Sequence, residues 1–515
     1  METGQEQQQL GARLAAQALA DRRLAFLSEM FERFPDGEWF VVGGAVRDMI
    51  MGRDEIKDYD LVVRHVGLEE LSEALSESGH VDLVGRSFGV LKYRPKDAET
   101  GEESIDIAWP RTEKAGMSGG YRDFTVQSDS EMAIEKDLAR RDFTMNAIAL
   151  DLRNKQLIDP HGGMKDIGGR VIRAVGEPAE RFKEDYSRIL RGLRFACQLG
   201  FLIEAATWEN IKRQAHHLND VRAVTVPPGA EREERVVPFE TVARELAKAM
   251  AADPVRCVEL FETSGLLFKI IPELVPLSAC AQPRNQHSEG DVWAHTKLAI
   301  SRLMEEDFKR RFGGERWSAE TALAVLLHDI GKPQTRAVEG DKVTFYGHPD
   351  VGAAMARHIA ERLKLSSVPD GGIDADRLAW LVKMHLFPNM LDITQVKKTT
   401  LFKHFLADRV AGRELLHLAH ADASGAIPEH GQPDLSNLDR TMAAIREIEK
   451  LAASENGKPP KLLSGEDVMA LTGIGPGPEI GKMLDLINEK HLNGELTTHE
   501  QAVEFIREMG SKVTE

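Results

Sequence analysis

The order of apolar and polar positions divides the chain into a front part with short strands and a longer part with helices. Apolar residues recur at helical spacing in residues 10–34, which predicts an amphipathic helix. Short apolar, β-branched runs then alternate with Gly- and Asp-rich turns; they are FVVGGAV, YDLVV, VLKYRP and SIDIAW. This pattern predicts a mixed sheet in a domain of the α+β class that ends near residue 155.

After LIDPHGG the strand signals fade, and helical spacing dominates in RILRGLRFACQL, FETVARELAKAM and VRCVELFETSGLLF. SENGKPPKLLSGED predicts a linker, and IGPGP in the tail predicts a turn before a helix. We therefore divide the chain into an N-terminal helix (1–34), a head (35–155), a neck (156–225), a helical body (226–285), a His- and Asp-rich domain (286–445) and a linker with a helical tail (446–515).

Length and composition limit the class of protein. A chain of 515 residues exceeds what one core usually serves, and an apolar content of 42% argues against disorder. The three cysteines, Cys197, Cys257 and Cys280, are widely spaced, which indicates a reducing compartment without a disulfide framework. The N-terminus has no apolar signal segment, and no run reaches the roughly 18 apolar residues that span a bilayer. We expect a cytoplasmic protein with no membrane partner, and the sequence assigns no oligomeric state.

The net charge of −17 argues against general binding of polyanions, because nonspecific affinity for nucleic acid comes mainly from neutralised phosphates. Charge is unevenly distributed, however. Residues 134–195 contain 13 Lys and Arg against 10 Asp and Glu. Any contact with nucleic acid should therefore be local and specific.

Three acids and a glycine pair are the candidate chemistry of the head. Asp58 and Asp60 are two residues apart at the start of an apolar run, so a strand would project both from one face. Asp106 lies in the apolar run SIDIA, where an unpaired charge is costly. Carboxylates suit Mg²⁺, and three of them could hold two ions for nucleotidyl transfer. Gly43 and Gly44 would let backbone N–H groups approach a triphosphate.

Each of these pieces alone is more typical of a tight turn or a solvated strand edge. The spacing of all of them together favours a nucleotidyl-transfer site. Further motifs follow in order along the chain: RRDFTMNA from Arg140, DPHGG from Asp159, EDYSR from Glu184, and then ILRGLRF.

With GGAVRD and DYD, these motifs resemble the class II tRNA nucleotidyltransferases (CCA-adding enzymes) and their poly(A) polymerase relatives over residues 38–202. The resemblance implies a polymerase β-like head followed by helical domains, CTP and ATP as substrates, and the tRNA 3′ end as partner. It implies that Asp58 and Asp60 hold the catalytic Mg²⁺ ions with Asp106 beside them. It also implies a nucleotide-binding set: Gly43, Gly44, Arg47, Arg140, Arg141, Asp142, Asn146, Asp185, Arg188 and Arg191.

Asp185 and Arg188 have a specific role in the resembled family, where they read the incoming base. We expect both on one helix, three residues apart and facing the same way. Spacing alone favours an ordinary intrahelical ion pair. Cytosine and adenine, however, each present an amine beside a ring-nitrogen acceptor, which a carboxylate and a guanidinium match. Uracil and guanine reverse both polarities, so one Asp/Arg pair would reject them.

A set of histidines and aspartates is the candidate chemistry of the second helical unit. Any one histidine is more typical of a structural or surface residue, but the ordered set His295, His328, Asp329, His348, His385 and Asp422 resembles the HD phosphohydrolase superfamily. Imidazole with carboxylate favours a transition metal such as Mn²⁺, Ni²⁺ or Co²⁺ over Mg²⁺. The resemblance implies a secondary phosphohydrolase activity, and a degenerate domain that only binds tRNA is the alternative.

Two alternatives to CCA addition stay open. An A-adding enzyme or a poly(A) polymerase shares all the head motifs, and an HD phosphohydrolase could carry the head only as a nucleotide-binding module. The segment 111–125 is rich in Gly and charge, and in the resembled family a flexible segment here accompanies addition of the terminal A. We therefore expect terminal A addition.

Overall fold

The computed structural model describes residues 4–84, 89–99, 104–115, 124–226, 230–340, 342–369, 372–453 and 462–513. The chain forms two compact units, Met1–Ile270 and Ile271–Glu515. The boundary lies inside the predicted body, 226–285, and the finer six-part division stays a prediction. The α+β class is confirmed, with the mixed sheet in the N-terminal head.

Unit 1 contains most of the strands. They are β1 (Glu38–Val42), β2 (Asp60–Arg64), β3 (Gly79–Val84), β4 (Val90–Pro95), β5 (Ile105–Ala108), β6 (Arg111–Ala115), β7 (Phe124–Ser128), β8 (Ala149–Asp151), β9 (Gln156–Ile158), β10 (Val171–Ile172), β11 (Leu202–Ile203), β12 (Val221–Val226) and β13 (Ala230–Arg235). The predicted apolar runs correspond to β1, β2, β4 and β5, because alternating or fully apolar β-branched runs favour extended backbone.

The main sheet has seven strands in the order β3-β4-β5-β2-β1-β8-β9. Only the β2–β5 pair within this sheet is parallel. That pairing places Asp60 opposite Asp106, and the antiparallel β1–β2 pairing places Val42 opposite Asp60. The topology therefore brings the glycine pair after β1 and the strand acids to one edge of the sheet.

The helices of unit 1 alternate with the strands of this sheet along the chain and make up most of the unit after β9. They are α1 (Gly4–Leu19), α2 (Leu27–Arg33), α3 (Gly44–Ile50), α4 (Leu68–Ser78), α5 (Ile134–Ala139), α6 (Gly163–Gly169), α7 (Pro178–Glu184), α8 (Ser187–Leu199), α9 (Ala205–Gln214), α10 (Phe239–Ala252), α11 (Pro254–Thr263) and α12 (Leu267–Ile270). On one face of the sheet, Ile134 and Leu138 of α5 pack with buried residues such as Phe40 and Val62.

Two predictions about helices in unit 1 are wrong in detail. The single helix over 10–34 is two helices, because Asp21 caps a short 3₁₀ turn, Arg22–Leu24, with its side chain and so breaks the first helix. The antiparallel β12–β13 hairpin lies where the sequence predicts helical structure. β12 has one charged residue, whereas β13 is charged at five of its six positions and so has no apolar pattern typical of a strand.

The described residues of unit 2 are helical apart from one hairpin. Its elements are α13 (Val292–Arg302), α14 (Glu306–Arg311), α15 (Ala319–Leu327), α16 (Lys332–Thr335), β14 (Ala337–Glu339), β15 (Lys342–Thr344), α17 (His348–Arg362), α18 (Ala375–Met384), α19 (Phe387–Met390), α20 (Lys398–Leu401), α21 (Arg409–Gly425), α22 (Ser436–Ala453), α23 (Gly465–Thr472), α24 (Pro478–Leu492) and α25 (His499–Val513). The predicted turn in IGPGP is confirmed, with Pro478 opening α24. Most of the predicted linker, 454–461, lies outside the described residues.

The described part of the chain agrees with two further predictions. Cys197, Cys257 and Cys280 are free and buried. None of the described helices is long and apolar enough to cross a membrane.

Helix α21 buries a histidine that no function explains. His417 is 2% exposed, and its ring packs edge-on against Phe308 and Phe312. Among the described residues, neither ring nitrogen has a hydrogen-bond partner. Burial is the main reason that the pKa of His417 is lowered to about 3, and Arg413 and His420 lower it further.

This histidine should make the stability of unit 2 depend on pH. In the unfolded chain, the ring takes up a proton as the pH falls below about 6.5, whereas in the folded chain it stays neutral until about pH 3. Stability is therefore lost as the pH falls, by about 2 kcal/mol for this residue at pH 5. We expect His417→Phe to narrow the difference in melting temperature between pH 7.5 and pH 5, measured by calorimetry. The exposed His358→Phe is the control, and an equal narrowing by both variants would contradict the assignment.

Candidate functional site

A cavity of about 1000 Å³ lies in unit 1 beside the end of β1. Its walls come from β1, β2, β4, β5, the segment after α5, and helices α8 and α10. The lining includes every residue predicted for the head site except Asp58: Gly43, Gly44, Arg47, Asp60, Asp106, Arg140, Arg141, Asp142, Asn146, Asp185, Arg188 and Arg191.

The glycine pair forms the turn between β1 and α3. Gly43 has φ = 76°, and a Cβ added there would lie 2.8 Å from Arg141 Nη1. A side chain at Gly43 would therefore meet both backbone strain and a guanidinium group. Both glycines line the cavity, so a triphosphate in the cavity could approach the main chain of this turn as the sequence predicts.

The strand acids lie at the same edge of the sheet. Asp60 is the first residue of β2, and Asp106 pairs with it in register from β5. Asp58 precedes the strand, so strand alternation alone does not place it, but it lies close enough to Asp60 for its charge to raise the pKa of that residue. Asp106 is also not unpaired, because Lys92 Nζ on β4 lies 2.8 Å from its Oδ1.

The electrostatics of Asp60 favour a cation. Burial raises the pKa of Asp60, Arg141 lowers it, and the charges of Asp106 and Asp58 raise it again, with the result above the ordinary value. The negative charges of Asp58 and Asp106 repel that of Asp60. Carboxylate oxygens are the donors that Mg²⁺ prefers. This donor set fits a divalent cation.

Asp137 is a functional residue that the motif analysis missed. Its side chain is fully buried at the start of the arginine motif. Its Oδ1 accepts hydrogen bonds from Arg140 Nε at 2.9 Å and Nη2 at 2.7 Å, and its Oδ2 accepts one from Arg141 Nη2 at 3.2 Å. Burial opposes ionisation, but the two arginines outweigh it and hold the pKa of Asp137 below its usual value. The only signal in the sequence is an acid three and four residues before two arginines.

Asp142 lines the cavity, and both of its carboxylate oxygens accept hydrogen bonds from other protein groups. Its Oδ2 accepts from Arg191 Nε at 2.7 Å, and its Oδ1 accepts from Asn146 Nδ2 at 3.2 Å. Asn146 Oδ1 in turn accepts from Arg47 Nη1 at 2.8 Å. Burial raises the pKa of Asp142, yet Arg191 and the hydrogen bonds hold it well below its usual range. A chain of hydrogen bonds thus fixes two of the predicted nucleotide-binding arginines.

Asp185 and Arg188 are arranged differently from the prediction. Asp185 lies at the break between α7 and α8 in extended backbone, not on one helix with Arg188, and its Oδ1 accepts from Ser187 N at 2.9 Å. Arg188 Nη1 instead donates to Glu184 Oε2 at 2.6 Å, and its Nη2 donates to the Arg140 carbonyl at 3.0 Å. An intrahelical Asp185–Arg188 ion pair is therefore wrong. Both residues still line the cavity.

The carboxyl of Asp185 is half-buried in the wall of the cavity. Burial raises its pKa, although the hydrogen bonds from Ser187 and the charge of Arg188 oppose that effect. Its second oxygen is the one that remains for a ligand. A cavity-facing carboxylate close to a fixed guanidinium is the pair that the base-reading argument requires.

Ten more residues line the cavity outside the predicted set, among them Arg111, Phe195, Thr241 and Arg244. Thr241 and Arg244 lie on α10, three residues apart and hence on one face. Sequence reasoning missed them because α10 is far along the chain from the motifs. With them, the lining has seven arginines against four aspartates, a local positive excess in a chain with a net charge of −17. This excess favours a polyphosphate ligand.

The second site lies in unit 2, where the structure brings the six predicted HD residues together. His295 is in α13, His328 and Asp329 follow α15, His348 begins α17, His385 follows α18, and Asp422 is in α21. All six are buried. Five of them form two groups with metal-ligand spacing that share Asp329: His295 and His328 in one, His348 and His385 in the other.

Distances within this cluster are short. His295 Nε2 lies 3.1 Å from Asp422 Oδ1, and His328 Nε2 lies 3.1 Å from Asp329 Oδ2. On the other side, His348 Nε2 lies 3.4 Å from Asp329 Oδ1. Buried imidazoles and carboxylates at such distances fit divalent transition metals better than Mg²⁺.

The ring orientations agree with a metal site. The Nδ1 atoms of His328, His348 and His385 lie 2.7, 2.8 and 2.7 Å from main-chain carbonyl oxygens three residues earlier. Because a carbonyl only accepts, each Nδ1 carries the proton and each Nε2 presents a lone pair to the cluster.

Comparison with known proteins defines the class of each unit. Residues 39–173 match the Poly A polymerase head domain, and residues 298–426 match the HD domain. The first match contains β2–β9, all but the first residue of β1, and the cavity acids Asp60, Asp106 and Asp142, and the second match contains five of the six clustered residues. Both kinds of domain depend on divalent metal ions.

Full-length relatives define the family. The A-adding tRNA nucleotidyltransferase of Deinococcus radiodurans is 35% identical over 482 residues, covering 92% of this chain and 96% of that protein. The Multifunctional CCA protein of Alkalilimnicola ehrlichii is 32% identical and covers 82% of this chain and 91% of that protein. The chain belongs to the family of tRNA nucleotidyltransferases and poly(A) polymerases.

Solved structures agree on the fold. The CCA-adding enzyme of Bacillus stearothermophilus in complex with CTP is 20% identical with a TM-score of 0.57, covering 96% of this chain and 99% of that chain. The CCA-adding enzyme of Thermotoga maritima in complex with tRNA is 19% identical with a TM-score of 0.56, covering 96% of this chain and 97% of that chain. At such identity the likeness extends to the fold alone.

The position of Asp137 gives a prediction about stability. Asp137→Asn removes the carboxylate that pairs with the partly buried guanidinium groups of Arg140 and Arg141. We therefore expect the free energy of local unfolding of the main sheet to fall by about 3 kcal/mol. Hydrogen exchange of peptides from β1 and β2 measures it. The exposed Asp36→Asn is the matched control and should change little, while equal protection in Asp137→Asn and wild type would refute the anchoring role.

Proposed function

We propose that this protein adds C and A nucleotides to the 3′ end of tRNA without a nucleic-acid template, using CTP and ATP. The observation that carries the proposal is the single cavity in unit 1 where seven arginines, the acids Asp60 and Asp106, and the pair Asp185 and Arg188 meet. The family of the chain and the names of its relatives support the same activity.

In the proposed reaction the tRNA 3′-oxygen bonds to the α-phosphorus of the nucleotide, the bond to the β-phosphate oxygen breaks, and pyrophosphate leaves. Mg²⁺, held by Asp58 and Asp60 with Asp106 beside them, would supply charge stabilisation for the attacking and leaving oxygens. The turn at Gly43 presents main chain to the triphosphate. The arginines fixed by Asp137 and Asp142 bind its phosphates, and Arg244 adds a positive charge from α10.

Base selection in this proposal rests on Asp185 and Arg188. The free oxygen of Asp185 accepts a hydrogen bond from the exocyclic amine of cytosine or adenine, and Arg188 donates to the adjacent ring nitrogen. Uracil and guanine would place a carbonyl against the carboxylate and a ring N–H against the guanidinium. Wrong bases therefore leave buried groups unpaired.

A-only addition is the second candidate. It is favoured by the Deinococcus radiodurans relative, which covers 92% of this chain and is named as an A-adding enzyme. The segment on which we based terminal A addition is bounded by β6 and β7, and residues 116–123 lie outside the described residues. Terminal A addition is common to both candidates and stays a prediction.

For unit 2 we propose a secondary, metal-dependent phosphohydrolase activity. Two groups of buried ligands that share Asp329 support it, as does the match to the HD domain. Mn²⁺, Ni²⁺ or Co²⁺ is the proposed metal because four of the six residues are imidazoles. We also propose a cytoplasmic location, where tRNA is processed.

The direct test supplies tRNA that lacks CCA, and separately tRNA that ends in CC, with each nucleotide alone and with CTP plus ATP. Product lengths are read on a sequencing gel. CCA addition predicts three nucleotides on the first tRNA and one on the second. Extension of the CC-ending tRNA alone indicates an A-adding enzyme, and no extension of either RNA refutes the proposal.

Asp60→Ala should abolish nucleotide addition. The variant loses a charge that stabilises the transition state, so we expect the rate to fall at least about 100-fold. Binding of tRNA should change less than about twofold, because Asp60 is not a packing residue. Primer extension and a filter-binding assay measure the two quantities. Asp54→Ala, an exposed acid before β2, is the control, and normal addition by Asp60→Ala would rule out the metal assignment.

Asp185→Ala should weaken the preference for CTP over UTP by roughly 10–100-fold, which is the value of one hydrogen bond to a charged group. Because Asp185 also accepts a hydrogen bond from Ser187 N at the start of α8, Asp185→Asn separates the two roles: an amide can still accept that bond but presents an uncharged group to the base. Single-nucleotide kinetics measure the preference. Glu180→Ala on α7 is the control. An unchanged preference in both Asp185 variants would show that this residue does not read the base.

A further inference from the structure

Glu289 lies next to the metal-ligand cluster of unit 2, in the segment before α13. Its side chain is 6% exposed. Its Oε1 accepts hydrogen bonds from His295 Nδ1 at 2.9 Å and His287 Nδ1 at 2.7 Å, and its Oε2 accepts one from Ile427 N at 3.0 Å. These bonds join the start of α13, which carries His295, to the residues just after α21, which carries Asp422.

His295 is oriented differently from the other three histidines of the cluster. The Nδ1 atoms of His328, His348 and His385 each meet a neutral main-chain carbonyl. The Nδ1 of His295 meets a carboxylate. A charged acceptor makes a stronger hydrogen bond and increases electron donation by the imidazole, so His295 Nε2 is the most strongly held ligand atom of the four.

The two ligand groups also differ in charge. The group of His295 and His328 has Asp329 and also Asp422, whose Oδ1 lies 3.1 Å from His295 Nε2 and 3.5 Å from His328 Nε2. The group of His348 and His385 has Asp329 as its shared acid. We call the first group position A and the second position B.

One charge opposes this difference. Lys332 Nζ lies 2.6 Å from Asp329 Oδ2, the oxygen that faces position A. Asp422 contacts both histidines of position A, although its charge also acts on His385 of position B, and the outer carboxylate of Glu289 lies behind position A. Its negative charge therefore exceeds that of position B.

We propose that Glu289 is a positioning residue that makes the two metal positions unequal, so that position A binds a divalent transition metal first and position B binds a second ion more weakly. Glu289 acts through His295 by fixing its tautomer and ring direction. The inference rests on the metal-dependent activity proposed for unit 2.

The test is a Co²⁺ titration of the full-length, metal-stripped protein in excess Mg²⁺, followed by the visible absorption of Co²⁺ bound to imidazole. Mg²⁺ occupies the oxygen-donor site of the head, so the absorption reports unit 2. Wild type should bind two ions in two phases. Glu289→Gln should weaken the first phase by roughly 10–100-fold and leave the second unchanged. His348→Ala should remove the second phase only.

Matched variants separate positioning from general damage. Glu289→Asp, which keeps the charge on a shorter side chain, should recover part of the lost affinity, and it serves in place of Glu289→Gln if that variant does not fold. Glu315→Gln, a half-exposed acid of unit 2, should titrate like wild type.

Three results would overturn the inference: a single phase in wild type, an unchanged first phase in Glu289→Gln, or three bound ions. The third would make His287, Glu289 and His295 a ligand group of their own. If wild type binds no Co²⁺ at all, the proposed phosphohydrolase function fails too, which distinguishes the two failures.

Discussion

The cavity of unit 1 depends on one interaction, the fully buried carboxylate of Asp137 that holds Arg140 and Arg141. Neighbouring guanidinium groups repel one another and would otherwise turn towards water. The carboxylate of Asp142 holds Arg191 in place in the same way, and the carboxylate of Glu184 holds Arg188. The positive lining is thus in place before any ligand arrives, which reduces the cost of ordering side chains on binding. Phosphate binding and base reading both require it.

Unit 2 reaches a similar result by another route. Three of its ligand histidines are oriented by main-chain carbonyls, and the fourth, His295, is oriented by Glu289. The Nε2 atoms of these histidines converge on the acids Asp329 and Asp422. In both units the groups that meet a ligand are fixed by partners behind them. The ligand chemistry differs, with hard oxygen donors in the head and mostly imidazoles in unit 2.

Much of this arrangement could be predicted from the sequence, because motifs encode which residues meet. The apolar runs located β1, β2, β4 and β5, and the motifs located every cavity residue of the predicted set except Asp58. Local geometry was harder to predict. Asp185 lies between two helices in sequence, yet its backbone is extended and separates α7 from α8. Glu289 was missed because one of its partners, Ile427, comes into contact with it only in the fold. Asp137 was missed although its partners follow three and four residues later, because this spacing is that of an ordinary ion pair on a helix.

The central claim is that a preformed cavity recognises the polarity of a base before chemistry occurs. Equilibrium binding of CTP, ATP, UTP and GTP to the full-length protein, in Mg²⁺ and without tRNA, tests it most directly. The account predicts that CTP and ATP bind at least about tenfold more tightly than UTP and GTP, because wrong bases leave Asp185 and Arg188 unpaired. Equal dissociation constants for all four nucleotides would contradict it.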